Sequence, residues 1–321
     1  MNIVLIGEES AGIQMLWALK RRGHSIAAVI ATPKVPSSGA SLWNAATKLG
    51  FDTWPAKLVK DPSLADRIRS HAVDLILNVH SLHVIHGSIL EAARIGAFNL
   101  HPGPLPRYAG LNAVGWAIYR GESTHGVTVH KMVPRIDAGP IAYQALFNIE
   151  HSDTALTVFS KCIREGIGLM LQLLDVASKD ANQIPLIPQD LTKREYFGTD
   201  VPEGGWLSWS SPAARIVNFV RACDYTPFPS PWSHPRTTWG DQTIQIITAC
   251  RTYTSCDAEP GRVGRLVQEG SFVASADEWV LVKRLKVGKR FLKPAEILKT
   301  DERLGESTAR VGNNLVNQSR L

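Results

Sequence analysis

The chain has 321 residues, 44% of them hydrophobic and 20% charged, with 35 Lys and Arg against 29 Asp and Glu for a net charge of +6. That length implies two domains, the composition is that of an ordinary globular protein, and no apolar run approaches the roughly 20 residues a membrane helix needs. The mild positive charge is not packed into runs and selects no class of partner, and the four cysteines (Cys162, Cys223, Cys250, Cys256) form no CxxC pair, which favours reduced thiols over a zinc or redox motif.

Asn2 to Gly7 reads as a buried strand, with no basic n-region or long apolar h-region before it, so the expected location is the cytoplasm. Ala11 to Arg22 predicts a helix with Ile13, Leu16, Trp17 and Leu19 at helical spacing, stopped by Gly23. Between them, Gly7-Glu-Glu-Ser-Ala-Gly12 matches neither G-x-G-x-x-G nor a phosphate loop, because Ile13 stands where the lysine belongs. It reads as a tight turn with some ligand-facing backbone. Strands follow at Ser25 to Thr32, Val73 to Val79 and Ala97 to His101, with helices at Leu42 to Leu49, Ser63 to Ser70 and Ser88 to Ala93. Strands alternating with helices predict a Rossmann-like α/β fold, mostly parallel and covered on both faces. Gly126 to Val133 and Ala142 to Ile149 read as an antiparallel extension of that sheet, and Thr154 to Ala177 as a long helix.

Pro185 to Gly205 is rich in Pro, Gly and charge and reads as a linker. Short alternating runs from Thr237 to Leu292 predict a small β domain of barrel-like spacing. The expected division is a catalytic domain over 1–184, a linker over 185–205, the β domain over 206–304 and a loose tail over 305–321. Trp206, Trp209, Trp232 and Trp239 around the linker suit packing better than stacking on a ligand.

The chemistry concentrates in Phe98-Asn99-Leu100-His101-Pro102-Gly103-Pro104-Leu105-Pro106. Residues i and i+2 of a strand share a side, so Asn99 and His101 face one cleft where a strand meets a rigid loop, at the carboxyl end favoured by ligands of such sheets. A carboxamide beside an imidazole can hold a carbonyl oxygen and handle a proton. Ile136-Asp137-Ala138-Gly139 puts a carboxylate in a turn at the end of a neighbouring strand, where a turn-forming role competes with a chemical one. His80, His83 and His86 fit no zinc spacing and lack carboxylate or cysteine companions, so they read as a loop lining a ligand, with no metal expected.

Asn99-x-His101-Pro-x-x-Leu105-Pro106-x-x-x-Gly110, Gly126-Val-Thr-Val-His130 and Ile136-Asp137-Ala-Gly139 together resemble the folate-dependent formyltransferases. That family includes the nucleotide-sugar N-formyltransferases and methionyl-tRNA formyltransferase. Gly204 to Ala222 and Pro227 to Trp232 resemble the start of the family's small C-terminal domain. Many members read His-Ser-Leu-Leu-Pro where this chain reads His101-Pro-Gly-Pro-Leu-Pro. The departure leaves Asn99, His101 and Asp137 in place and bears on the acceptor.

The resemblance implies transfer of a formyl group from N10-formyltetrahydrofolate to an amine. Asn99 and His101 would stabilise the oxyanion, and Asp137 would orient His101, raise its pKa and help remove the amine's proton. The pterin is implied to lie against Leu77, Asn78, Val79, His80 and Leu82 and against Ala138, Gly139 and Ile141. The substrate positions expected beside it are Gly7, Ser10, Pro102, Gly103, Arg107, Tyr108, Gly110 and Asn112. Relatives acting on tRNA carry a basic insertion after the second strand. Here Thr32 to Trp43 holds a single lysine, too little for several phosphate contacts. The expected acceptor is therefore a small amine, most readily an amino sugar linked to a nucleotide, with tRNA or water (a hydrolase) as the alternatives. A membrane partner is not expected, and a homodimer is left open.

Overall fold

A computed structural model describes residues 1–33, 41–81 and 83–305. In chain order its elements begin with β1 (Asn2–Gly7), α1 (Glu9–Arg21), β2 (Ser25–Ala31), α2 (Leu42–Lys48), β3 (Thr53–Pro55), α3 (Leu64–Ser70), β4 (Leu75–Val79) and α4 (Gly87–Leu90). Next come β5 (Gly96–His101), β6 (Ala109–Gly110), α5 (Ala113–Arg120), β7 (Thr124–Lys131), β8 (Ile141–Asn148), α6 (Ala155–Lys179) and β9 (Tyr196–Phe197). The rest are α7 (Ala213–Ala222), β10 (Arg236–Trp239), β11 (Gln242–Ser255), β12 (Val263–Val267), β13 (Gly270–Ala274), β14 (Glu278–Val287), β15 (Arg290–Leu292) and β16 (Leu304–Gly305).

The chain divides into two units. The first takes in Met1–Ala113, Thr124–Asn148 and Phe159–Gly198; the second takes in Val114–Ser123, Ile149–Val158 and the chain from Thr199. In the first, a seven-stranded sheet runs β3-β2-β1-β4-β5-β7-β8. The first five strands are parallel and the last two pairings antiparallel. Every residue of β4 is buried, as expected of a parallel strand covered on both faces. One side of the sheet is closed by Val4, Ile6, Ala28, Ile30, Ile76 and Ala97 packing with Leu64, Ile68 and Ile89. Fully burying side chains of this kind is worth about 1.5–3 kcal/mol each.

Register places the polar groups. Asn78 of β4 is paired with Asn99 of β5, and Asn99 with His130 of β7. Three neighbouring strands thus set a polar residue in one row. Helix α1 buries Ala11, Met15, Leu16, Ala18 and Leu19, whereas Trp17, expected on the buried stripe, is 42% exposed. The Gly7 to Gly12 segment is a packing turn: a side chain at Gly7 would meet the Val79 carbonyl, and one at Gly12 would meet Leu42. Helix α5 has no counterpart in the sequence reading. It is two turns long and mostly apolar, too short for a helical period to stand out.

In the second unit an antiparallel path runs β12-β13-β14-β11-β10-β16, with β15 on β14. Its two ends meet: Val263 N–H donates to Glu302 O at 2.8 Å and Leu304 N–H to Gly261 O at 2.9 Å. The path therefore curls round on itself, the barrel-like form expected from the strand spacing, bent by register shifts between β11 and β14. Within this unit Trp209 is buried with its indole N–H on Thr237 Oγ1 at 3.0 Å, and Trp232 packs edge-on against Trp116. All four cysteines are free thiols. Among the described residues no helix is long and apolar enough to cross a membrane. Residues 34–40, in the loop that argues against tRNA, lie outside the described residues, as do Leu82 and the expected tail from residue 306.

Candidate functional site

The row Asn78, Asn99, His130 forms a chain of hydrogen bonds at the carboxyl ends of β4 and β5. Asn78 Nδ2 donates to Asn99 Oδ1 at 2.8 Å, and Asn99 Nδ2 donates to His130 Nε2 at 3.1 Å. His130 Nδ1 faces the Lys131 carbonyl at 3.0 Å. A carbonyl only accepts, so the proton sits on Nδ1 and Nε2 is free to accept from Asn99. Asp137 closes the cluster from the turn after β7. Its Oδ2 accepts from Gly110 N–H at 2.8 Å and lies 3.4 Å from His101 Nδ1. Its Oδ1 lies 3.3 Å from His130 Nε2 and accepts a long 3.5 Å bond from Asn99 Nδ2. The structure thus brings Asn99 and His101 each to within 3.5 Å of Asp137.

His101 is held on its far side too, with Nε2 2.7 Å from the Tyr108 carbonyl. The same logic puts a proton on Nε2 and leaves the lone pair of the neutral ring on Nδ1, toward Asp137. Burial pushes the His101 pKa down, against the upward pull of Asp137 and the Tyr108 carbonyl, and His130 adds to the fall. The net direction is below the usual imidazole value. The expected upward pull of Asp137 is present, but desolvation of a ring 3% exposed is the larger effect. Burial works against the Asp137 charge, yet His101, His130 and the Gly110 N–H more than offset it and hold the carboxyl far below the usual range.

The loop after His101 is tied to the antiparallel strands. His125 Nε2 donates to Pro102 O at 3.0 Å and Thr128 Oγ1 to Gly103 O at 2.7 Å. Thr128 accepts from Leu105 N–H at 3.2 Å, and Gln144 Nε2 donates to Leu105 O at 2.9 Å. Of the other expected substrate positions, Tyr108 is 1% exposed and its ring stacks on Phe197, so it offers the site a carbonyl and not its ring. Arg107 is exposed, 3.7 Å from Glu195. Asn112 sits at φ +54 on the turn into α5. Gly7 is buried, while Ser10 is exposed on α1 and bonded to Gln14, not to the cluster.

Of the expected pterin positions, Leu77 and Val79 are fully buried, which leaves only their backbone to offer. Asn78 Oδ1 and His80 Nε2 are buried without partners among the described residues. His80 takes a left-handed backbone, φ +58, with its ring 4.8 Å from that of Phe159. Ala138 and Gly139 lie in the Asp137 turn, and Ile141 pairs through its backbone with Ile187. His86 caps α4, accepting from Ser88 N–H at 3.3 Å, and among the described residues no group of His, Cys, Asp or Glu is placed to hold a metal ion. Sequence reasoning gave no role to His130 or to Gln189, whose Nε2 donates to the carbonyls of Asp137 and Gly139. The alternation Gly126-Val-Thr-Val-His130 carries a signal for the first, since it puts Thr128 and His130 on one side. Nothing local signals the second.

Burial pushes the His80 imidazole down to about 4, with His101 nearby as a lesser cause. A group whose native pKa lies below its unfolded value of about 6.5 contributes stability that is complete above that value. The contribution is lost as pH falls toward about 4. Unfolding midpoints of His80→Gln are expected to fall less steeply than wild type between those limits in urea titrations; parallel curves would refute it.

A family model described as "Formyl transferase" matches residues 1–174, and one described as "Formyl transferase, C-terminal domain" matches residues 201–302. Among solved structures, HypX from Aquifex aeolicus in complex with tetrahydrofolic acid is similar over 92% of this chain and 46% of its own, at 17% identity and a TM-score of 0.65. The chain thus spans about half the length of HypX. The N-formyltransferase from Helicobacter canadensis in complex with folinic acid and dTDP-3-aminofucose is similar over 88% of this chain and 98% of its own, at 17% identity and a TM-score of 0.68. Glycinamide ribonucleotide transformylase 1 from Symbiobacterium toebii is similar over 59% of this chain and 94% of its own, at 23% identity and a TM-score of 0.50.

Proposed function

The chain belongs to the formyl transferase family, and on that premise we propose that it moves a formyl group from N10-formyltetrahydrofolate to the amine of a nucleotide-linked amino sugar. The observation that carries this reading is the meeting of Asn99 and His101 around Asp137, at 3.5 and 3.4 Å. The acceptor class is supported by the Helicobacter canadensis relative, whose complex holds dTDP-3-aminofucose. A catalytic domain over 1–184 and a small β domain over 206–304 belong to the same proposal.

The donor fits the residues present. Two buried polar atoms at the end of β4, Asn78 Oδ1 and His80 Nε2, have no partner among the described residues, and a heterocycle rich in hydrogen-bonding groups suits them. Asn78, His80 and the backbone of Ala138 to Ile141 would hold the folate, which supplies the formyl carbon when bound.

Asn99 gives up its long 3.5 Å bond to Asp137 and turns that amide N–H to the formyl oxygen as it gains charge, a contribution of about 10²–10³ in rate for a donor of this kind. His101 is neutral at the outset and takes at Nδ1, directly or through a water, the proton released by the attacking amine. The imidazolium so formed lies between Asp137 Oδ2 and the Tyr108 carbonyl, two acceptors that stabilise it. Asp137 stays charged throughout, because its contacts hold its pKa low. With donor and amine bound, the amine nitrogen would gain the formyl carbon, and the proton held by His101 would pass to the donor nitrogen as its bond to that carbon breaks. A formamide and tetrahydrofolate result.

The test offers labelled N10-formyltetrahydrofolate with dTDP-amino sugars, with initiator tRNA, or with no acceptor. Label is expected in a formamide of the nucleotide sugar. Label only in tRNA would overturn the acceptor, and full-rate formate release without an amine would mark a hydrolase.

A further inference from the structure

We propose that residues 185–198 form a strap that sets the position of Asp137, with Gln189 as its positioning residue. The strap lies between the two matched stretches, 1–174 and 201–302. It belongs to the first unit, like the turn it holds.

The strap grips that turn at four points. Arg194 Nη2 donates to Ile136 O at 2.9 Å. Gln189 Nε2 donates to Asp137 O at 3.0 Å and to Gly139 O at 2.6 Å. Ile187 and Ile141 exchange backbone hydrogen bonds at 2.9 and 2.8 Å. The two carbonyls on Gln189 can only accept, so the amide nitrogen must face them, and its two hydrogens match two acceptors.

The strap also holds the opposite wall. Its strand β9 pairs with β6, with Ala109 N–H on Glu195 O and Leu111 N–H on Phe197 O, both at 2.8 Å. Between them Gly110 has φ +91 and no room for a side chain against the Phe197 carbonyl, and its own N–H reaches Asp137 Oδ2. One segment therefore fixes both the backbone that carries the carboxylate and the N–H that receives it.

This fixing has a job to do. Asp137 sits at φ +52, a left-handed conformation that side-chain-bearing residues rarely adopt. Without the strap the turn can relax and carry the carboxylate away from His101. A shift of about 1 Å in a positioned group can cost about 10²-fold in rate.

The inference rests on the proposed formyl transfer, and the test separates the two. Gln189→Ala and the isosteric Gln189→Glu, which sets an acceptor against two carbonyls, are compared with wild type in the full chain. Expected are a kcat lower by about 10- to 100-fold, a donor KM within about twofold of wild type and little change in melting temperature. The titratable groups around His101 are Asp137, His130 and His80. Since Asp137 pulls its pKa up, His101 is expected to titrate at lower pH in Gln189→Ala, which adds no charge, read by NMR of the ring and by the acid limb of kcat. A wild-type kcat and His101 titration in Gln189→Ala would overturn the strap, as would a loss of kcat that only tracks melting temperature. The NMR titration needs no turnover, so a wild-type chain without transfer activity would sink the proposed function and leave the strap test standing.

Discussion

His101→Ala is expected to lower formyl-transfer turnover by about 10²–10⁴-fold, the range for loss of a positioned acid–base group, with the folding midpoint kept. Removing the ring leaves Asn99 and Asp137 in place but nothing to take the amine's proton. Asp137→Asn is a finer probe. The amide oxygen can still accept from Gly110 N–H, so the turn persists, but the charge beside the imidazolium is gone. Its turnover is expected to fall by about 10²–10³-fold. The sign of the pH dependence follows from the same contacts. A neutral His101 is the active form, so the wild-type rate falls as pH drops through its lowered pKa and is flat above it. The depressed Asp137 carboxyl contributes stability that is present above its unfolded value of about 3.9 and lost as pH falls through its native value. Asp137→Asn is expected to lack that part of the acid loss. Near wild-type turnover in either variant would remove these residues from the chemistry.

Gly139→Ala is expected to inactivate the protein through the backbone. A Cβ at this position would fall inside the van der Waals radius of the Lys131 carbonyl oxygen. That oxygen belongs to β7 and cannot move without disturbing the strand that carries His130. The turn must move instead, and Asp137 with it. A stability loss of about 3 kcal/mol is the scale for such overpacking, with turnover falling further than stability explains. Gly168→Ala supplies the contrast. It lies exposed in α6 with nothing near the added methyl, and the change is expected to stabilise by up to about 1 kcal/mol. Thermal melts and turnover on both variants decide it; a Gly139→Ala chain that melts and turns over like wild type would show the turn to be tolerant.

The alternating strands and helices, the antiparallel addition and the barrel-like second unit were legible because each rests on local periodicity, two for strands and about 3.6 for helices. The pairing of Asn99 with His101 was legible for the same reason, being an i, i+2 relation within one strand. Asp137 was legible as a turn carboxylate but not as a ligand of Gly110 N–H, since 27 residues separate the two.

Sequence alone thus determined the class of fold, the strand that bears the carboxamide and imidazole, and the family resemblance carried by three short motifs. Tertiary structure alone decided that His130 stands opposite Asn99, that the segment at 185–198 bonds to the Asp137 turn, and that burial outweighs the upward pull of Asp137 on the His101 pKa. The physical reason is one of range. Periodicity and turn chemistry act over a few neighbouring residues, whereas register between strands and loss of water from a buried ring exist only once distant stretches of chain have packed together.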